Sequence, residues 1–162
     1  MRLQPIARSV LLLAAIGGTA TSVAAQSPAD SVRFVNPPSL PTPHGYSHLV
    51  EVPAGSRLVY ISGQVPLDST GRLVGAGDFR AQAVQVFENL RRALTAAHAS
   101  FADVVKLNYY VVDVSKLGTL REVRDHYVNA AAAPTSILLG VQRLFRPDVL
   151  LEVEAVAVVK QP

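Results

Sequence analysis

The sequence predicts an α+β domain in which two helices cover one face of a mixed β-sheet, and three features of the chain support this. Two stretches, Val104 to Val114 (VVKLNYYVVDV) and Val149 to Val159 (VLLEVEAVAVV), are dense in β-branched, aromatic and other apolar residues, the composition of buried strands. Two others, beginning near Asp78 and near Ser115, repeat apolar residues at the helical period. Strands precede the first helix, a strand separates the helices and two strands follow the second. That order suits one sheet with both helices on the same side.

The first 25 residues are expected to lie outside the domain. Arg2 and Arg8 precede an unbroken apolar run from Val10 to Ile16, and the small residues ending Val23-Ala24-Ala25 suit cleavage before Gln26. The run is short for a membrane span, so a cleaved secretory signal and a periplasmic or secreted protein are expected. Cleavage leaves 137 residues, enough for one domain. It also lowers the fifteen Lys and Arg to thirteen against twelve acids, a net charge of +1 rather than +3. With no basic block left, nucleic acid is not an expected partner. The chain has no cysteine, which excludes disulfides and thiol chemistry and leaves packing or association to hold the fold.

Residues 26–43 hold Pro28, Pro37, Pro38, Pro41 and Pro43 among small polar residues and read as a tether with an extended lead-in; residues 44–162 form the domain. Leu49 to Val52 is a first strand and Arg57 to Val65 a second. Gly63 interrupts the second, which marks a bulge or a close backbone approach. Asp68 to Gly71 is a turn, with Arg72 to Val74 as its short partner strand. Asp78 is the N-cap of the first helix, whose inward positions are Phe79, Ala83, Val86, Phe87, Leu90, Leu94 and Ala97, while Gln82 and the charged residues meet water. Ser115 caps a second helix to about Ala131 with Leu117, Leu120, Val123, Tyr127 and Val128 inward. Thr135 to Val141 and the stretch ending at Val159 are the last strands. Tyr60, Tyr109, Val156 and Val158 then remain on the sheet face without helices, where a second subunit is the natural cover.

Chemistry concentrates on the last strand. Side chains alternate faces, so Glu152 and Glu154 share one with Leu150, Val156 and Val158. A buried ionised carboxylate without partners costs several kcal/mol or takes up a proton more readily, so the pair needs a donor, a cation, solvent or a ligand. A wet edge or subunit seam satisfies the same pattern. Elsewhere the signals are weaker. His44, His48, His98 and His126 have no metal-ligand spacing, so no metal is expected. Ser62 and Ser136 stand in no nucleophile motif, and Gly75-Ala76-Gly77 is too short to cradle a phosphate.

Several segments together resemble the Rid family, the YjgF-like reactive-intermediate enamine/imine deaminases. They are Gly45-Tyr46-Ser47, Tyr60-Ile61-Ser62-Gly63-Gln64-Val65, Asp103-Val104-Val105-Lys106, Pro134-Thr135-Ser136 and Glu152-Val153-Glu154-Ala155-Val156-Ala157, in family order over about residues 34–160. The resemblance implies a chorismate-mutase-like α+β fold, a homotrimer with ligand clefts between subunits, and neither metal nor organic cofactor. In family members with deaminase activity, a last-strand glutamate positions or activates water. An arginine after the Pro-x pair binds the substrate carboxylate, and a tyrosine near the N-terminus lines the cleft. Those positions fall on Glu152, Ser136 and Tyr46, and a further family position in the second helix falls on Arg121.

Glu152 is therefore the expected catalytic residue, and Tyr46, Ser62, Gly63, Arg121, Ser136 and Glu154 the expected substrate-binding residues. Serine has neither the charge nor the planar fork of arginine. Losing that contact removes roughly 2 to 5 kcal/mol of buried ion-pair binding, so 2-imino acids are expected to bind poorly unless Arg121, Arg143 or Arg146 substitutes across a subunit seam. Two functions follow: an enamine/imine deaminase acting on a small C=N substrate, or a non-catalytic trimer that binds a small metabolite or a protein.

Overall fold

A computed structural model describes residues 31–159. The expected export signal and the first part of the expected tether lie outside them. Eight elements follow in order: β1 (Arg33–Val35), β2 (Leu49–Glu51), β3 (Arg57–Gln64), α1 (Phe79–Ala96), β4 (Val104–Val111), α2 (Leu117–Arg124), β5 (Thr135–Gly140) and β6 (Leu151–Val159). The main sheet is mixed, in the spatial order β3-β6-β4-β5. Strand β6 runs antiparallel to both its neighbours, and β4 and β5 run parallel with α2 as their crossover. This is the α+β arrangement expected, with two helices on one face.

The helix-facing side of the sheet carries Ile61 from β3, Leu107, Tyr109 and Val111 from β4, and Leu151, Val153, Ala155 and Ala157 from β6. Helix α1 packs Phe79, Ala83, Val86, Phe87, Leu90 and Leu94 onto it, and α2 adds Leu120 and Val123. Each of the valine, leucine, isoleucine and phenylalanine side chains among them contributes roughly 1.5 to 3 kcal/mol of burial. Phe87 stacks on Tyr127 at 5.0 Å between centroids and also meets Phe101, closing the core beneath the helices. The Asp78 side chain accepts from Ala81 N at 3.1 Å, capping α1 as expected.

Several local expectations are corrected. The lead-in carries a strand, because the proline-free stretch Arg33–Val35 pairs with β2 and its ladder needs only three residues. The partner strand at Arg72 to Val74 reduces to one bridge between Leu67 and Leu73; the turn itself is held by Asp68, whose Oδ1 accepts from Thr70 N and Arg72 N. Asp113, not Ser115, begins the second helical segment. Its carboxylate accepts from Ser115 N at 2.9 Å and starts a 3-10 turn that runs into α2. Helix α2 stops at Arg124, with Asp125 as its C-cap, and Asn129 caps a separate 3-10 turn at Ala130–Ala132 ahead of Pro134. Tyr109 lies on the helix side, 4% exposed, rather than on the open face. Val158 is largely buried, while Tyr60 is 76% exposed.

Gln82 is the largest departure inside α1. Expected on the wet side, it is fully buried: its Nε2 donates to Gly75 O and Asp148 O at 3.1 and 2.8 Å, and its Oε1 accepts from Leu150 N at 2.8 Å. One amide thus ties α1 to the loop that feeds β6.

Candidate functional site

The register of the sheet sorts the expected site residues into two groups. Asn108 of β4 is paired with Glu154 on one side and Ile137 on the other, and Tyr110 with Glu152 and Leu139, so these side chains share the open face. Leu107 is paired with Ala155 and Ser136, which puts Ser136 on the helix side. Within one chain, therefore, Glu152 and Ser136 stand on opposite sides of the sheet.

On the open face, Glu154 is tightly held. Its Oε1 accepts from Asn108 Nδ2 at 2.5 Å and from the Tyr110 hydroxyl at 3.1 Å. Donation to this carboxylate, with burial, pushes the Tyr110 hydroxyl above its usual proton affinity, since a phenolate would face a carboxylate. Beside them lies a cleft of about 320 Å³ lined by Tyr60, Ser62, Lys106, Asn108 and Glu154.

Glu152 is different. It is half-buried, and its carboxylate makes no hydrogen bond or ion pair among the described residues. Loss of solvent and then the charge of Glu154 raise its carboxyl above the ordinary glutamate range. The β3–β6 ladder shifts register between Ile61 and Gln64, and in that bulge a Cβ on Gly63 would overlap Glu152 Oε1. Gly63 is thus the close approach its place in the strand suggested, and the group it admits is the Glu152 carboxylate.

On the helix side, Tyr46, Arg121 and Ser136 come together around a cavity of about 200 Å³, with Arg124, Tyr109 and Leu138 in its wall. Arg124 donates through Nε and Nη2 to Asp125 Oδ1 at 2.8 and 2.7 Å and through Nη1 to Gly45 O at 3.1 Å. Gly45 has φ of +77°, and a Cβ there would overlap the guanidinium, so glycine is required twice over. Tyr109, buried here, has its hydroxyl pushed well above the usual range by burial. Of the three arginines expected as substitutes, only Arg121 reaches this cavity. Arg146 pairs with Asp148 at 2.6 Å, and Arg143 is exposed and lines none of the clefts described.

Arg124 was not among the expected site residues. On a helical wheel it reads as a solvated charge beside Arg121. The available signal was Gly45-Tyr46, a glycine that the domain's opening segment needs for close approach to another element. Among the described residues no group of three or more His, Asp or Glu side chains is placed to hold a metal ion, and no helix is long and apolar enough to cross a membrane.

A mixed four-stranded sheet backed by two helices, with a carboxylate pair on its bare face and a basic cavity under its edge, defines a class of small α+β proteins. The chain belongs to the Rid family: it matches the family model described as Endoribonuclease L-PSP over residues 38–159. It is 36% identical over 119 residues to a RutC family protein of Pyrococcus abyssi, covering 72% of this chain and 89% of that protein. It is 34% identical over 104 residues to TdcF of Escherichia coli, provisionally named a reactive intermediate deaminase, covering 62% of this chain and 78% of that one. Among solved structures, the Rid-family protein YyfB of Yersinia pestis aligns with a TM-score of 0.71 and 38% identity over 79% of this chain and 98% of its own. The structure of E. coli TdcF with bound serine aligns with a TM-score of 0.57 and 33% identity, over 67% of this chain and 85% of that one.

Proposed function

We propose that this protein is a deaminase of small enamines or imines, with Glu152 as its acid/base, working at clefts between copies of the chain. The observation that carries the reading is the state of the Glu152 carboxylate: half-buried, without a partner among the described residues, and raised in proton affinity by burial and Glu154. Those are the properties of a proton acceptor poised nearer neutrality than an ordinary glutamate.

Glu152 accepts a proton from water as the water oxygen bonds to the C=N carbon. The resulting acid returns the proton to nitrogen, giving a carbinolamine; Glu152 then takes the carbinolamine hydroxyl proton and passes it to nitrogen as the C–N bond breaks, releasing ammonia and a carbonyl compound. A site that uses both Glu152 and the Tyr46, Arg121 and Ser136 cavity needs two chains, because one chain presents them on opposite faces. Leu58, Tyr60, Ile137 and Leu139 stand 43%, 76%, 47% and 43% exposed on the open face and offer an apolar surface to a second copy, in keeping with a homotrimer. Serine bound to TdcF supports an amino-acid-sized ligand for this fold.

The acidic open face opposes a phosphate backbone, and the net charge of +1 expected after signal cleavage supplies no basic footprint; RNA therefore has no part in the reading despite the family model's description. Residues 1–25 support placing the activity outside the cytoplasm. The presence of serine at position 136 favours a second reading, a trimer that binds a metabolite without turning it over.

The two readings separate by ammonia release from small imines generated in situ, 2-iminopropanoate among them, with the purified protein. Release above the buffer rate is expected; release at the buffer rate for every imine tried would leave the binding reading. Gly63→Ala sharpens the assignment. The added methyl pushes the flexible end of Glu152 aside, so folding stability is expected to change by about 1 kcal/mol or less while turnover falls by about 10²-fold. Full turnover in a folded Gly63→Ala protein would detach Glu152 from the chemistry.

A further inference from the structure

At the other end of β4 from Ser136 a separate cavity of about 440 Å³ opens between the first turn of α1 and the segment that leads into α2. Ser136 pairs with Leu107 near the start of β4, whereas Val112, in the wall of this cavity, follows the end of that strand. Five residues of extended chain put the two roughly 16 Å apart. None of the residues expected to bind substrate lines this space. Its apolar wall is Phe79, Val112 and Leu150. Leu150 is held at both backbone groups: its N donates to Gln82 Oε1 at 2.8 Å and its O accepts from Val112 N at 3.2 Å. Strand β6 begins at the next residue.

The polar wall carries both signs of charge. Asp78 and Asp113 each accept from a helix-start amide, Ala81 N at 3.1 Å and Ser115 N at 2.9 Å. Those amides are answered and offer an anion nothing. A carboxylate has room for about four hydrogen bonds, so both aspartates keep acceptor capacity. Arg80 is paired with Glu122. Lys116 is exposed, and its ammonium makes no hydrogen bond or ion pair among the described residues; the Thr119 hydroxyl, one turn on, makes none either. A phosphate dianion here would face two carboxylates, and a simple amine would leave Lys116 unanswered. A ligand with one charge of each sign satisfies both.

We propose that this cavity is a second ligand site, for a free α-amino acid with an apolar side chain, and that its occupant braces the start of β6. The ligand carboxylate meets Lys116 and Thr119, its ammonium meets the aspartates, and its side chain rests on Phe79, Val112 and Leu150. The volume lies within the range of small-molecule pockets. Bracing follows because Leu150 is at once a wall of the cavity and the residue that Gln82 anchors. The site lies apart from the clefts of the proposed reaction and stands whether or not the protein turns an imine over.

Calorimetry of the purified protein tests this with leucine and phenylalanine, beside 4-methylpentanoate, which is leucine without the ammonium, and 3-methylbutan-1-amine, which is leucine without the carboxylate. Both amino acids are expected to bind, and each half of leucine at least about tenfold more weakly. Lys116→Gln and Asp113→Asn are each expected to weaken leucine binding about tenfold; asparagine still caps the helical segment, so circular dichroism is expected to match the parent. Arg121→Gln, in the cavity at the other end of β4, is expected to leave leucine binding unchanged. Saturating leucine is expected to slow hydrogen exchange of the Leu150 amide about fivefold or more. No leucine binding by the parent, a half-ligand that binds as tightly as leucine, or unchanged binding in both Lys116→Gln and Asp113→Asn would each overturn the proposal. So would a loss of binding in Arg121→Gln, which would put the leucine in the Tyr46 cavity, or unslowed exchange at Leu150.

Discussion

Glu152→Gln is expected to lower ammonia release by about 10²- to 10⁴-fold, the usual contribution of a positioned acid/base, while leaving the protein folded and associated. Glutamine keeps the shape of the side chain but neither accepts nor returns the proton. The pH dependence is the more discriminating readout. The ionised form is the active one, and burial together with Glu154 holds the carboxyl above the ordinary glutamate range. Activity is therefore expected to rise with pH along a limb whose midpoint lies above that range. Glu154→Gln removes the like charge, so the limb should move to lower pH while burial still keeps it above the ordinary value. An unmoved limb in Glu154→Gln would mean that another group titrates. The linked effect on folding has the opposite sense. A carboxyl with a raised folded-state value binds more protons folded than unfolded, so its contribution to stability grows as the pH falls through that value and is lost above it.

Much of this arrangement was legible in the chain because it rests on alternation and period. Glu152 and Glu154 share a face on any strand, whatever surrounds them, and the buried positions of α1 recur at the helical period. The division of the site across the sheet was not legible. It depends on Ser136 pairing with Leu107 rather than Asn108, a register that β4 and β5 acquire only through the α2 crossover. A one-residue slip would have put Ser136 opposite Asn108, on the same face as Glu154. The same reason explains Tyr109: of two adjacent tyrosines in an apolar strand, local pattern does not say which faces the helices. Arg124 escaped notice because its partners, Asp125 and Gly45, are one residue and 79 residues away, and only the second distance is structural.

Gln82 shows how a residue on the buried stripe is misplaced by its polarity and what its real position is worth. The wheel of α1 puts it beside Phe79 and Val86, on the buried stripe, yet its polarity argues for water. The structure resolves the conflict by giving the amide three backbone partners around the start of β6. Gln82→Leu keeps much of the volume and removes all three bonds, leaving Gly75 O, Asp148 O and Leu150 N to find other partners. Each net hydrogen bond is worth about 1 kcal/mol, so the loss is expected to be roughly 3 kcal/mol, more if the freed groups stay unsatisfied. For a domain of this size that lowers Tm by roughly 10 °C. Urea unfolding at a fixed protomer concentration checks it, since association would otherwise change the apparent stability. A fall in midpoint with an unchanged slope is expected, and a loss below about 1 kcal/mol would mean that water replaces the amide. Leu150 N is the anchored atom and Glu152 stands two residues beyond it. A Gln82→Leu protein that remains folded is therefore also expected to lose turnover, because the latch that starts β6 sets where the Glu152 carboxylate meets Gly63.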